Sequence, residues 1–301
     1  VKDFRVEDLH GIHAILYALF NEREQLDRAA MRRQVDICLA SGVHGMAALG
    51  LATEAAKLDE VERMAIMDWV VEDTAGRVPV ALTIFGASVE EQVRQVRHAT
   101  VVGADWLILQ SPMVGAYSAA EYIRFFGRVA ESTDLPLAIQ NAPALMGRGL
   151  TAADIRDLVR QHPNIRLVKG EGPVVDVAHL IEVTEGQLPV FNGRAGLELL
   201  ENLRIGCRGL ILAPDSIDYA VRAYEFFCDG WDEHAEEEYR RMLPGVVFTM
   251  QGIENLICYG KRLFGARAGI EVHDRAPAMR PTVIGVEMTR RYAAALGGFP
   301  E

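Results

Sequence analysis

The chain has 301 residues, half of them hydrophobic and 24% charged, with a formal net charge of -11. That length buries a sizeable core as one barrel-sized domain or two small ones. The acidic balance argues against nucleic acid or an anionic membrane surface as the main partner, since either selects a basic face, but leaves room for a small anionic substrate in a locally positive pocket. The first residues lack an apolar signal core, and no apolar run approaches the roughly 18 residues of a membrane span, so a soluble cytoplasmic protein is expected. The cysteines Cys38, Cys207, Cys228 and Cys258 are widely spaced with no CxxC, which reads as buried free thiols in a reducing compartment.

From Ile12 onward, short apolar runs alternate with longer amphipathic stretches. The pattern predicts strands near 12–18, 44–49, 78–84, 105–109, 136–140, 165–169, 189–192 and 209–213. It predicts helices near 26–41, 59–74, 88–102, 118–131, 151–161, 175–185, 195–206 and 216–228. Strands each trailed by a helix, repeated to this count, specify an α/β fold of the (β/α)8 TIM barrel type. Punctuation agrees: Gly42 and Gly103 end helices, Ser88 and Thr151 can cap the next ones, and Pro79 enters a strand. The barrel is expected over residues 1–230. Residues 231–301 read as further helices near 231–243, 246–264 and 281–296, packed on the barrel in one compact protomer.

The sixth strand carries the most informative residue. Its apolar run, Ile165, Leu167 and Val168, ends in Lys169 and then breaks at Gly170, Gly172 and Pro173. The chain has 31 Lys plus Arg, yet its lysines are only Lys2, Lys57, Lys169 and Lys261. Exposed positive charge is therefore nearly all arginine, and a lysine after a buried run points to something a guanidinium cannot do. A lysine amine can lose its proton and attack a carbonyl carbon to form a Schiff base.

In a barrel, the carboxyl ends of the strands hold the functional groups. Those ends read Leu19 and Phe20, the loop Gly50 to Glu54, Thr83 to Phe85, Gln110 to Pro112, Gln140 to Pro143, Lys169 to Glu171, Asn192 to Arg194, and Pro214 with Asp215. Lys169, Gln140, Glu171 and Thr53 are the candidate catalytic groups. Gly50, Leu51, Ala52, Thr53, Glu54, Asn141, Gly193 and Arg194 are the candidate substrate-binding groups. The set suits a small oxygen-rich anion with a ketone: an amine for the carbonyl, Glu171 or Glu54 as acid or base, and Thr53, Arg194 and loop amides for a carboxylate. Each also has a plain structural use. Glu54 can anchor its loop, Arg194 can pair with Glu198, and Gln140 and Asn141 can satisfy loop backbone.

These residues resemble a known family. Gly42 to Gly45 leading to Gly50–Glu54, the stretch Leu58 to Arg63, Asn141-Ala-Pro143 and Lys169 at the end of the sixth strand are similar, over essentially the whole chain, to the dihydrodipicolinate synthase and N-acetylneuraminate lyase family of class I Schiff-base barrels. The resemblance implies a lyase without a cofactor or metal, an imine between Lys169 and pyruvate or another small 2-keto acid, a substrate carboxylate held by the loop after the second strand, and a homotetramer. Leu51, Ala52, Thr53 and Glu54 stand where the family usually has two adjacent hydroxyl residues followed by Gly-Glu, Gln140 where it has its proton-carrying tyrosine, Leu145 where the synthases have an arginine, and Met113-Val114 where an aromatic pair is usual. Gln140-Asn-Ala-Pro143 with Lys169-x-Glu171 is nearest the branch containing L-2-keto-3-deoxyarabonate dehydratase. That likeness implies dehydration of a 2-keto-3-deoxy sugar acid. An aldolase releasing or condensing pyruvate shares every step up to the enamine, and a catalytically silent keto-acid-binding barrel is the other alternative. The eight histidines show no HExxH or clustered ligand spacing, and no GxGxxG or Walker pattern is present.

Overall fold

The computed structural model describes residues 4–112, 114, 115 and 117–300; Met113, named above, lies outside them. Eight parallel strands close into a barrel in sequence order: β1 Gly11–Ile15, β2 Gly45–Ala48, β3 Val80–Ile84, β4 Trp106–Leu109, β5 Leu137–Asn141, β6 Ile165–Gly170, β7 Val190–Asn192 and β8 Gly209–Leu212. Closure pairs β8 with β1, Gly209 beside Gly11. The strands are almost wholly buried because barrel side chains fill one face and helices cover the other.

The helices that follow the strands are α1 Arg28–Ala40, α2 Glu60–Thr74, α3 Val89–Val102, α4 Ala119–Ala130, α5 Pro143–Met146, α6 Ala152–Gln161, α7 Val174–Val183, α8 Leu199–Arg204 and α9 Ile217–Cys228. Ser88 accepts from the Glu91 N–H and Thr151 from the Asp154 N–H, satisfying donors that the first turn leaves open. Gly103 closes α3 at a φ of 92°. The four-residue α5, opened by Pro143, is a turn that periodicity is too short to reveal. The helix expected near 195 starts instead at Leu199, because Arg194, Ala195 and Glu198 hold φ values of 57°, 52° and 58°, which a right-handed helix cannot contain.

Beyond α9 come α10 Asp232–Thr249, α11 Ile253–Asn255, a π turn over Leu256–Gly260, α12 Lys261–Ala268 and α13 Val283–Leu296. A break was expected before Pro244, yet α10 runs through it. Proline removes one donor there, while the buried face continues through Met242, Gly245, Val246 and Thr249, so packing carries the helix across. The chain turns instead at Gly252, in extended backbone. Cys228 is exposed in the last turn of α9, so only Cys38, Cys207 and Cys258 are the buried thiols expected. No helix among the described residues is long and apolar enough to cross a membrane.

His13 of β1, Trp106 of β4 and Phe191 of β7 meet edge to face or tilted, with ring centroids 5.0 to 5.9 Å apart. A Cβ on Gly45 would lie 2.2 Å from the His13 ring, which is why β2 is bare there. Burial pushes the His13 imidazole down to about 3, so it stays neutral in the fold. The unfolded chain binds that proton first, so this stabilisation is complete above pH 6.5 and is lost as pH falls toward 3. Asp215, raised by burial to about 6, acts in the opposite sense. The His13 contribution is therefore isolated by a variant. Urea unfolding at pH 7 and pH 5 should show His13→Leu losing about 2 kcal/mol less between the two than the parent does.

Candidate active site

Lys169 and Glu171 stand two residues apart where β6 ends, so the strand pleat sends both side chains to the same face. Lys169 Nζ lies 2.9 Å from Glu171 Oε1, with both side chains buried. The β5 to β6 register sets Gln140 beside Lys169. From there Gln140 Nε2 donates to Glu171 Oε2 at 3.1 Å. Its Oε1 is buried with no hydrogen-bond partner among the described residues. Room for the carboxylate comes from the residue after β7: a Cβ on Gly193 would lie 2.7 Å from Glu171 Oε1. An amine, a carboxylate that can exchange protons with it, and an amide orienting that carboxylate thus converge from adjacent strands.

Lys169 and Glu171 line one cavity at the barrel mouth together with Leu51, Ala52 and Arg194. Ile15, Leu145, Ile211 and Ala213 line it as well, and Met250, Ile253 and Leu256 of the C-terminal segment reach into it. Gly50 packs closely on Ile15, where a Cβ would come within 3.1 Å of Ile15 Cδ1. Arg194 also pairs with Glu198 at 3.0 Å. Since Glu198 has left-handed backbone, that contact spans a loop and not a helical turn.

Other residues singled out in the sequence hold loops. Thr53 is fully buried and its Oγ1 donates to the Leu16 carbonyl at 2.6 Å. Asn141 accepts from the Leu150 N–H at 2.9 Å and donates to the Leu150 carbonyl at 3.0 Å, closing the α5 loop. Glu54 turns away from the cavity lining and accepts from Lys57 Nζ at 2.5 Å and from Lys261 Nζ. Lys261 is fully buried and also donates to the Ala18 carbonyl at 2.9 Å. Burial lowers its pKa and the Glu54 carboxylate opposes that shift. The scarcity of lysine that marks Lys169 marks Lys261 equally; its place in a helix hid the buried partner. Tyr17 donates to Asp215 Oδ1 at 2.9 Å, joining the segment after β1 to the turn after β8, where Arg267 of α12 also donates to the Asp215 carbonyl, a contact 198 residues apart in sequence.

Removing one member of a buried ion pair leaves the other charge unanswered, at a cost of about 3–5 kcal/mol. Glu54→Gln should therefore lower unfolding free energy by about that amount in guanidinium titrations, whereas Arg194→Ala, cutting a half-exposed pair, should cost under about 1 kcal/mol.

The model of the dihydrodipicolinate synthetase family matches residues 8–244. The chain is 32% identical over 208 residues to YagE of Escherichia coli, whose name is that of a 2-dehydro-3-deoxy-D-gluconate aldolase, covering 67% of this chain and 68% of that one. It is 29% identical over 227 residues to YjhH of Escherichia coli, named for a 2-dehydro-3-deoxy-D-pentonate aldolase, covering 73% and 75%. The crystal structure of YagE in complex with pyruvate superposes with a TM-score of 0.88 at 25% identity, over 95% of this chain and 98% of that one. With the family model covering most of its length, the chain belongs to the dihydrodipicolinate synthetase family.

Proposed function

We propose that this protein is a class I lyase in which Lys169 forms an imine with the C2 carbonyl of a 2-keto acid, and that it dehydrates a 2-keto-3-deoxy sugar acid. The observation that carries this reading is the buried contact of 2.9 Å between Lys169 and Glu171 inside the cavity. Neutral Lys169 attacks C2, and the carbinolamine loses water to give a protonated imine. That imine acidifies the C3 hydrogens. A base removes one, and the resulting enamine expels the C4 hydroxyl, which takes up a proton and leaves as water. Hydrolysis of the unsaturated imine then frees Lys169.

Glu171 is the carboxylate in the lining, within reach of the amine, and is the group we assign to moving the C3 and C4 protons. Gln140 cannot exchange a proton as a tyrosine can. Its amide instead fixes the Glu171 carboxylate, which leaves the proton work to Glu171. The deoxy sugar acid is supported by the names of YagE and YjhH, both given for 2-dehydro-3-deoxy acids.

Those same names favour a second reading, in which a base takes the C4 hydroxyl proton, the C3–C4 bond breaks, and the enamine becomes pyruvate. Products separate the two: a dehydratase releases water and a keto acid with all its carbons, an aldolase releases pyruvate and an aldehyde.

Borohydride treatment with a 2-keto-3-deoxy acid should add mass to the peptide carrying Lys169, and Lys169→Arg should abolish both adduct and turnover. The absence of an adduct on folded protein would overturn the Schiff-base reading. Glu171→Gln should keep the trapped adduct while lowering kcat by roughly 10²–10⁴-fold, the range for a lost general acid or base; an unchanged kcat would assign the proton transfer to another group.

A further inference from the structure

Two separate parts of the barrel rim offer the cavity something for negative charge. After β2, the backbone N–H groups of the lining residues Leu51 and Ala52 donate to no backbone carbonyl among the described residues. After β7 stands Arg194. Of the charged residues in the lining, Lys169 and Glu171 are used by the reaction proposed above, and Arg194 is not. Among the described residues Arg194 uses one nitrogen, Nη1, on Glu198 Oε2, an oxygen that also accepts the Val174 N–H at 3.1 Å. The two side chains are 26% and 37% exposed, so water weakens the pair, and the remaining donors of the guanidinium stay open. The backbone presenting it is strained. Arg194, Ala195 and Glu198 all hold left-handed φ values of 52° to 58°, a conformation that side chains with a Cβ resist and that gathers at ligand clamps.

We infer that Arg194 receives a second carboxylate at the far end of the substrate, so that the substrate is a 2-keto-3-deoxy diacid and not a sugar acid with a neutral tail. The inference rests on the 2-keto acid reading above and names the substrate class within it. In an eight-stranded barrel β2 and β6 face each other, and β7 is beside β6. A keto acid on Lys169 with its C1 carboxylate against the loop after β2 therefore extends its remaining carbons away from that loop. The lining it meets after β5 and β7 is Leu145, Ala195 and Arg194. The side chains of Leu145 and Ala195 offer no hydrogen bond, whereas the planar fork of Arg194 matches a carboxylate. A phosphate carries up to two charges, and with the Glu171 carboxylate in the same lining one guanidinium leaves it under-compensated.

The test is titration calorimetry of the intact protein with diacids and monoacids of matched length, followed by borohydride and intact mass. The pairs are 2-oxoglutarate against 2-oxopentanoate and 2-oxoadipate against 2-oxohexanoate. In at least one pair the diacid should bind about tenfold tighter, the gain of a charge-assisted hydrogen bond. Arg194→Ala should remove that preference. Glu198→Gln takes away the competing charge while keeping an acceptor for the Val174 N–H, so it should widen the preference, and it provides the test should Arg194→Ala not fold. Equal binding within both pairs on the parent protein, with adducts still formed on Lys169, overturns the second carboxylate site and leaves the Schiff base standing. A preference that persists in Arg194→Ala, or that Glu198→Gln fails to widen, overturns the assignment to Arg194. A preference that Arg194→Ala removes, without any adduct on the parent, keeps the carboxylate site and overturns the Schiff base. Failure of all four acids to bind overturns both.

Discussion

A charge taken out of water has to be answered within a few ångströms, and in this barrel that requirement falls on Lys169 and Glu171. The pair is local in sequence, yet its environment is not. Gln140 reaches the carboxylate because β5 lies beside β6 in a register that sets it next to Lys169. Gly193 leaves space for it because β7 lies on the other side. Shifting either register by one residue would put these groups on the opposite face of the sheet. The closed barrel thus fixes the orientation of an amine and a carboxylate that would otherwise sample many arrangements, which is the geometry the proposed proton exchange requires.

A second buried lysine answers the same requirement for a different purpose. Lys261 pairs with Glu54 and binds the Ala18 carbonyl, tying α12 to the loops after β1 and β2. The C-terminal helices are thereby more than an outer layer. The segment ahead of α12 contributes Met250, Ile253 and Leu256 to the cavity lining. One lysine meets the cavity and one holds the wall. The difference lies in what each faces: Lys169 lines the cavity, while Lys261 is fully buried and outside its lining.

The barrel was legible because its strands are short apolar runs at regular spacing with turn residues between them, and each lies within a few residues of its expected place. The exceptions have specific causes. Positive φ angles delay α8, and α5 is one turn long. In α10, packing outweighs the local penalty of Pro244. That Lys169, Glu171 and Gln140 lie together was legible because strand ends in a barrel converge, so chain position alone implies proximity. Side-chain direction was not. Thr53 and Glu54 occupy a strand-end loop and still point elsewhere, since each finds a better partner in Leu16 and Lys261 than the cavity offers.

The sequence by itself determined the element order, the barrel and the lysine at the end of its sixth strand, because these depend on hydrophobic period, turn chemistry and residue scarcity, all local quantities. Only the tertiary structure decided which groups meet. The Glu54–Lys261 and Tyr17–Asp215 contacts join residues 207 and 198 positions apart, and the cavity lining draws on β1, the loop after β2, β6, the loop after β7, β8 and the segment before α12. Such contacts are set by how closed strands and covering helices bring side chains together, and no short window of sequence contains both partners.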